Sequence, residues 1–240
     1  MCDVRGAISK GDGGKVGLDF ASPRRRTPYL PINSNLIIKF NMIVRNYAQV
    51  IYALYAIKLR MRTFVAVEVS DKEAMQNMIE FQKTLIQTGL KAKPVSSNQL
   101  HFTLMFLGEI NEAMLQSVKE KLADIRFEPI DVTYTGIGVF PNDKFVRVIW
   151  IGVDNESSLK LINLAKQVET RLNTLGFRSD KPFTPHITLF RVNGKIDLNA
   201  IMNFKNKTFG IDKLSTVKIK KSELTPKGPI YSDLFAVRSN

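Results

Sequence analysis

The 240-residue chain contains two histidines, and both sit in the same local pattern. His101-Phe102-Thr103-Leu104 and His186-Ile187-Thr188-Leu189 each read histidine, apolar residue, threonine, leucine. Side chains alternate across a strand, so each histidine shares a face with the threonine two positions on, while the apolar residues point to the core. One such histidine alone would most often be structural; a matched pair is poorly explained by coincidence. Two imidazoles suit displacement at phosphorus, where one takes a proton from the attacking water and the other protonates the departing oxygen. An unperturbed pKa of about 6.5 lets histidine play either part near neutrality. The hydroxyls of Thr103 and Thr188 are placed to hold the non-bridging phosphate oxygens, where charge accumulates in the transition state.

Competing chemistries lack parts. A catalytic zinc usually takes three protein ligands, yet no carboxylate stands at ligand spacing from either motif, the nearest to the first being Glu109, eight residues on. No nucleophile elbow for serine catalysis is present. The one cysteine, Cys2, supports neither a disulfide framework nor a zinc cluster and points to a reducing, cytoplasmic setting. The expectation is therefore a metal-independent acid/base site with no cofactor.

The histidines must be carried by strands, and the hydrophobic pattern supplies them. Residues 63–69 read as a buried strand, and Asp71 as the N-cap of a helix reaching about residue 88. A strand over 100–107, a helix over 111–125 and a strand pair over 130–140 and 146–153 follow. In that second helix Met114, Val118 and Leu122 recur at a spacing of four and read as core. The remainder opens with a helix over 157–175, with Leu161, Leu164, Val168 and Leu172 on one face and Gly176 as its stop. Strands over 186–192, 207–220 and 230–237 complete it, with a short helix near 198–204. Lysines within 218–221 read as a solvated strand face or, less often, an RNA track. Two halves with one histidine strand each suggest an internal duplication, whose pseudo-twofold arrangement would bring the two motifs together across a cleft.

The formal net charge of +13 suits an anionic partner such as nucleic acid, but residues 1–60 supply +7 of it. The first 35 residues are rich in Gly, Ser, Pro and Arg and show no periodicity. Residues 36–59 are apolar enough for a helix, but Lys39, Asn41, Arg45, Asn46 and Gln49 interrupt the run, so no membrane span is expected. Residues 1–60 read as a disordered extension or as the product of an upstream start, with the domain proper over 61–240. Mass spectrometry of the native protein decides between these: abundant peptides from 1–60 would refute the upstream start.

At the histidine motifs the chain resembles the 2H phosphoesterase superfamily, and within it the RNA 2′,3′-cyclic phosphodiesterases, also called 2′-5′ RNA ligases. The likeness extends over 61–240, through the start at Met61, the run from His101 to Glu109, and Pro185-His186-Ile187-Thr188-Leu189-Phe190-Arg191. It implies a bilobal α+β fold with a pseudo-twofold axis, two antiparallel sheets flanking a central cleft and helices outside. The activity implied is hydrolysis of RNA 2′,3′-cyclic phosphate ends, possible partners including tRNA fragments, to 2′-phosphomonoesters. Carried over, His101 would be the general acid and His186 the general base, although symmetry of the motifs permits the reverse. The match also suggests Phe106 and Arg191 as nucleotide contacts, each five residues after its histidine. On a straight strand that odd offset points away from the histidine face unless a bulge intervenes, so for Phe106 a core role competes with base stacking. Lys181 reads as a surface lysine near the cleft. A chain carrying both motifs needs no second subunit, so a monomer is expected. Two other readings stand beside hydrolysis: 2′-5′ ligation by the reverse chemistry, and RNA binding without catalysis.

Overall fold

The computed structural model describes residues 60–226 and 228–240, together with the helical residues 39, 42–45 and 47. The remainder of the expectation for 1–60 lies outside the described residues. Among the described residues, no helix is long and apolar enough to cross a membrane.

Among the described residues, nine strands form two antiparallel sheets. β1 (Met61–Glu68) and β3 (His101–Ile110) join β8 (Thr216–Thr225) and β9 (Gly228–Arg238) in a four-stranded sheet of order β3-β1-β8-β9. β2 (Lys93–Pro94), β4 (Ile130–Asn142), β5 (Phe145–Val153), β6 (Ile187–Arg191) and β7 (Thr208–Leu214) form the other, of order β2-β6-β5-β4-β7. The arrangement is the α+β, two-sheet one expected. The halves of the sequence are not the lobes, however. The last two strands join the first sheet, and β2 joins the second, so the four-stranded sheet is built from both ends of the domain and the five-stranded one from its interior.

That exchange corrects one strand. The apolar run over 207–220 is two strands in different sheets, β7 against β4 and β8 against β1, with Ser215 between them. Its physical cause is a slip in alternation. Asp212 and Leu214 are buried, and then Val217 and Ile219, so the inward face changes parity at Ser215 and one flat strand cannot satisfy both.

The helices are amphipathic and capped as their sequences require. Asp71 accepts from the Ala74 amide at the start of α1 (Lys72–Gln87), Asn111 from Met114 at α2 (Glu112–Ala123), and Asp154 from Ser157 at α3 (Asn155–Asn173). Gly176, at a φ of +89°, follows α3 where a side chain would be strained. α4 (Asn199–Met202) is a single turn. In α3 the four expected core residues are buried; in α2 Leu115 takes the place expected of Met114, which is only partly buried. The core lies under the strand faces carrying Val65, Phe102, Val217, Ile149 and Ile187. The opposite faces are left for the histidines.

Candidate active site

His101 is the first residue of β3, and His186 immediately precedes β6. His101 is entered from a single 3-10 turn, Ser97–Gln99, and His186 from an irregular segment, and each presents a carbonyl to its ring. His101 Nδ1 lies 2.7 Å from the Gln99 carbonyl, and His186 Nδ1 lies 2.7 Å from the Thr184 carbonyl, two residues upstream in both cases. A carbonyl only accepts, so Nδ1 must carry a proton in both rings and donate it. Nε2 is thereby left in each as the atom that can take or give a proton. The duplication read from the sequence thus extends to the backbone that sets the tautomer.

The two motifs meet in one small pocket of about 190 Å³, lined by His101, Thr103, His186, Thr188, Phe106 and Arg191 among others. In each motif the histidine and the threonine two residues on both line this pocket, and the Thr103 hydroxyl lies 3.1 Å from His101 Nε2. In the neutral ring it donates to that nitrogen.

Phe106 and Arg191 reach the pocket because both strands are bulged. Along β3, Ala66 faces Thr103 and Val65 faces Met105, so Leu104 is skipped; along β6, Trp150 faces Thr188 and Ile149 faces Phe190, so Leu189 is skipped. The skipped leucine is the residue after the threonine in both motifs. One extra residue reverses parity, which turns the odd offset of five into an inward one. Leu104 and Met105 are both buried, as are Leu189 and Phe190. Phe106, at 75% exposure, is therefore a cleft residue and not part of the core. The Leu189 bulge is further held by Gln82, a buried side chain of α1 whose amide donates to the carbonyls of Leu189 and Val95.

Aromatic rings pack each imidazole. His101 lies against Phe64, with centroids 5.1 Å apart, and meets Tyr231 edge-on at 5.4 Å. His186 meets Phe140 edge-on at 4.9 Å and Trp150 at 6.2 Å. Gly138 lies under the indole, where an added Cβ would come within 2.1 Å of the Trp150 ring. Burial, opposed by the Gln99 carbonyl and reinforced by Lys220, pushes the His101 imidazole down to about 4. Burial also lowers His186, against the Thr184 carbonyl.

Motif reading alone missed a charge cluster beside His101. Glu68 is the cross-strand partner of His101, while Lys218 and Lys220 pair with Ala66 and Phe64 on the same face. Both ammonium groups contact both Glu68 and Asp233. Lys220 is buried, which corrects the reading of 218–221 as a solvated face. Two cations balanced by two carboxylates also make a poor RNA track. Burial alone would raise the Glu68 carboxyl, but hydrogen bonds from Lys218 and Lys220 hold it below its usual value. Lys181 is exposed and does not line the pocket. Among the described residues, no group of three or more His, Cys, Asp or Glu side chains is placed to hold a metal ion.

Residues 62–233 match the family model described as the AKAP7 2′5′ RNA ligase-like domain. An RNA 2′,3′-cyclic phosphodiesterase of Archaeoglobus fulgidus is 39% identical over 178 residues, covering 72% of this chain and 98% of the relative. An RNA 2′,3′-cyclic phosphodiesterase of Methanothermobacter thermautotrophicus is 32% identical over 186 residues, 75% of this chain and 100% of the relative. The crystal structure of TT0787 from Thermus thermophilus superimposes with a TM-score of 0.63 at 31% identity, covering 74% of this chain and 97% of that one.

Proposed function

This chain belongs to the AKAP7 2′5′ RNA ligase-like domain family, and we propose that it opens RNA 2′,3′-cyclic phosphate ends with His186 as general base, His101 as general acid and no metal. Its kinship with RNA 2′,3′-cyclic phosphodiesterases over nearly their whole length makes it an enzyme of that class. The observation that supports the two-histidine mechanism is the twin Nδ1-to-carbonyl bond, which leaves both Nε2 atoms for one shared pocket.

In the reaction, His186 Nε2 takes a proton from water as its oxygen attacks phosphorus. The bond from phosphorus to the 3′ oxygen breaks, and that oxygen takes the proton held on His101 Nε2. A 2′-phosphomonoester and a free 3′-hydroxyl result. Nδ1 of each ring keeps its bond to the backbone throughout, so the rings need not turn between protonation states. Thr103 and Thr188 donate to the non-bridging oxygens; Thr103 exchanges its bond to His101 for one to phosphate. Depression of His101 in the free protein is relieved when the anionic phosphate arrives beside it, which loads the acid at the moment of use. Arg191 supplies the fixed positive charge at the rim, and Phe106 offers an exposed ring for a base.

Both motifs come from one chain, so we take the working unit to be a monomer acting in the cytoplasm on RNA ends such as those of tRNA fragments. An oligonucleotide ending in a 2′,3′-cyclic phosphate, incubated with the protein in EDTA, tests the mechanism. A 2′-phosphate product is expected, and His101→Ala and His186→Ala should each lower kcat by about 10²- to 10⁴-fold. A reaction that appears only on restoring metal would overturn the assignment. A 2′-5′ joined product with a 5′-hydroxyl RNA would show ligation, and salt-sensitive binding without turnover would leave only an RNA-binding protein.

A further inference from the structure

The catalytic pocket is small for its substrate. Its volume of about 190 Å³ falls below the roughly 300–1,000 Å³ usual for small-ligand sites. A second groove of about 420 Å³ begins at its wall and shares Val95, Gln99, Arg191 and Tyr231 with it. One side of this groove comes from β2 and the segment after it, the other from the end of β8 and the start of β9. The two sides belong to different sheets and are tied by the Gln99 amide, which donates to the Pro229 carbonyl.

The lining of the groove is chemically graded. Arg191 stands at the boundary with the catalytic pocket, and Lys93 is its cross-strand partner, which places the two cations side by side along the sheet edge. Lys93 Nζ extends toward the opposite wall, where a Cβ added to Gly228 would lie 3.5 Å from it. Ser96 and Asn98 add donors and acceptors, and Pro229, Ile230 and the Tyr231 ring add flat apolar surface. Ile230 is 57% exposed, although it is a large apolar side chain with no core to serve there. Cations followed by apolar surface match a phosphodiester followed by a base. An RNA chain ending in the catalytic pocket continues in only one direction, through the 5′ oxygen of its last ribose.

We infer that this groove is a binding subsite for the nucleotide immediately upstream of the cyclic phosphate, so that the substrate recognised is an oligonucleotide end and not a mononucleotide. The inference rests on the catalytic assignment above for where the RNA end sits. Arg191 and Lys93 hold the phosphodiester linking the last two residues, and the upstream base lies against Ile230 and Pro229.

A ladder of substrates on the full chain tests it: a nucleoside 2′,3′-cyclic phosphate, then a dinucleotide and a trinucleotide bearing the same end. The step from mono- to dinucleotide should raise kcat/KM about tenfold, within what one stacked base contributes, and the step to trinucleotide should add little. Ile230→Asp and Lys93→Ala, both at exposed positions, should bring the dinucleotide down toward the mononucleotide and leave mononucleotide turnover unchanged. Equal use of mono- and dinucleotide by the unaltered protein would overturn the subsite. So would equal losses on both substrates in the variants, which would put the terminal base itself in the groove. Equilibrium binding of a nucleoside 2′-phosphate and a dinucleotide 2′-phosphate makes the same comparison without turnover. Absence of hydrolysis would then sink the catalytic assignment alone, while the affinity ratio still decides the subsite.

Discussion

On the proposed assignment of His101 as the acid, the proton it carries is the quantity on which the chemistry turns, and its surroundings say how it responds to pH. Burial holds the free imidazole near 4, and Arg191 and Lys220 push the same way, while the Gln99 carbonyl and Glu68 oppose them. A group that must donate is thus mostly unprotonated in the free enzyme at neutral pH. Above its pKa, kcat/KM should fall with rising pH as the acid form is lost. A bound phosphate anion favours imidazolium, so the corresponding limb of kcat should lie at higher pH than that of kcat/KM. Superimposable limbs in the two profiles would contradict the assignment of His101 as acid. Glu68→Gln offers a second reading of the same site. It removes a carboxylate that favours imidazolium and leaves Lys218 and Lys220 less compensated, so the basic limb of kcat/KM should move to lower pH. A merely structural Glu68 would change the rate or the stability without moving the limb.

At this scale the histidines and their threonines were legible from type and spacing, whereas Phe106 and Arg191 came only from the family resemblance, because their odd offset of five reads as outward until the bulges are known. Phe64, Tyr231, Phe140 and Trp150 were not, because an aromatic on a strand reads as core unless the partner strand is known. The Glu68 cluster was hidden for the same reason: its four charges lie on three strands, and only register brings them together.

At the scale of the element, the twin bulge decides what the site contains. Without the extra residue at Leu104 and Leu189, Phe106 and Arg191 would face the core, where an unpaired guanidinium is costly. At Leu189-Phe190 the signal was present as two consecutive apolar residues in a run that otherwise alternates, but at the first bulge it was masked by four in a row, Leu104-Met105-Phe106-Leu107. The slip at Ser215 leaves the converse trace, two consecutive polar residues, Ser215 and Thr216, between Leu214 and Val217. β5 shows a further dependence, on its neighbour β4. Trp150 packs against His186 only because Gly138, its cross-strand partner, has no side chain. Gly138→Ala would set a methyl within 2.1 Å of the indole, and the ring must move. Loss of kcat by about tenfold or more is expected, with His186 displaced and the mononucleotide and dinucleotide affected alike, since a misplaced catalytic group is felt in the chemical step. If Gly138→Ala keeps full activity, Trp150 has no part in holding the base. Intrinsic tryptophan emission, from the single Trp in the chain, reports the movement independently.

Over the whole molecule, the problem is to hold two histidines from two sheets in one pocket. The sequence suggested a cleft from the duplication, but it could not show that the sheets exchange strands, because pairing between distant segments leaves no local trace. The exchange is reinforced where β1 ends. Asp212 of β7, almost fully buried, accepts from both the amide and the hydroxyl of Ser70, two residues after Glu68, and from the Tyr134 hydroxyl of β4. Burial and the neighbouring carboxylate push the Tyr134 phenol up, so it stays a donor. This bond set fastens the segment leaving the four-stranded sheet to two strands of the five-stranded one. Tyr134→Phe removes one donor and leaves Asp212 with Ser70, so a loss of about 0.5–1.5 kcal/mol in unfolding free energy is expected. Asp212→Ala orphans the buried Tyr134 phenol, at a cost of about 1–3 kcal/mol, while water can replace the carboxylate at the amide and hydroxyl of the exposed Ser70. Urea unfolding should therefore rank Asp212→Ala below Tyr134→Phe. If the tie also sets the spacing of the lobes, Asp212→Ala should lower kcat on the mononucleotide at temperatures where the protein remains fully folded, with Tyr134→Phe nearly unaffected. Equal stability of the two variants would mean that the carboxylate is replaceable by water at the phenol too. A destabilised Asp212→Ala with full activity would confine the tie to stability and leave the strand exchange itself to fix the histidines.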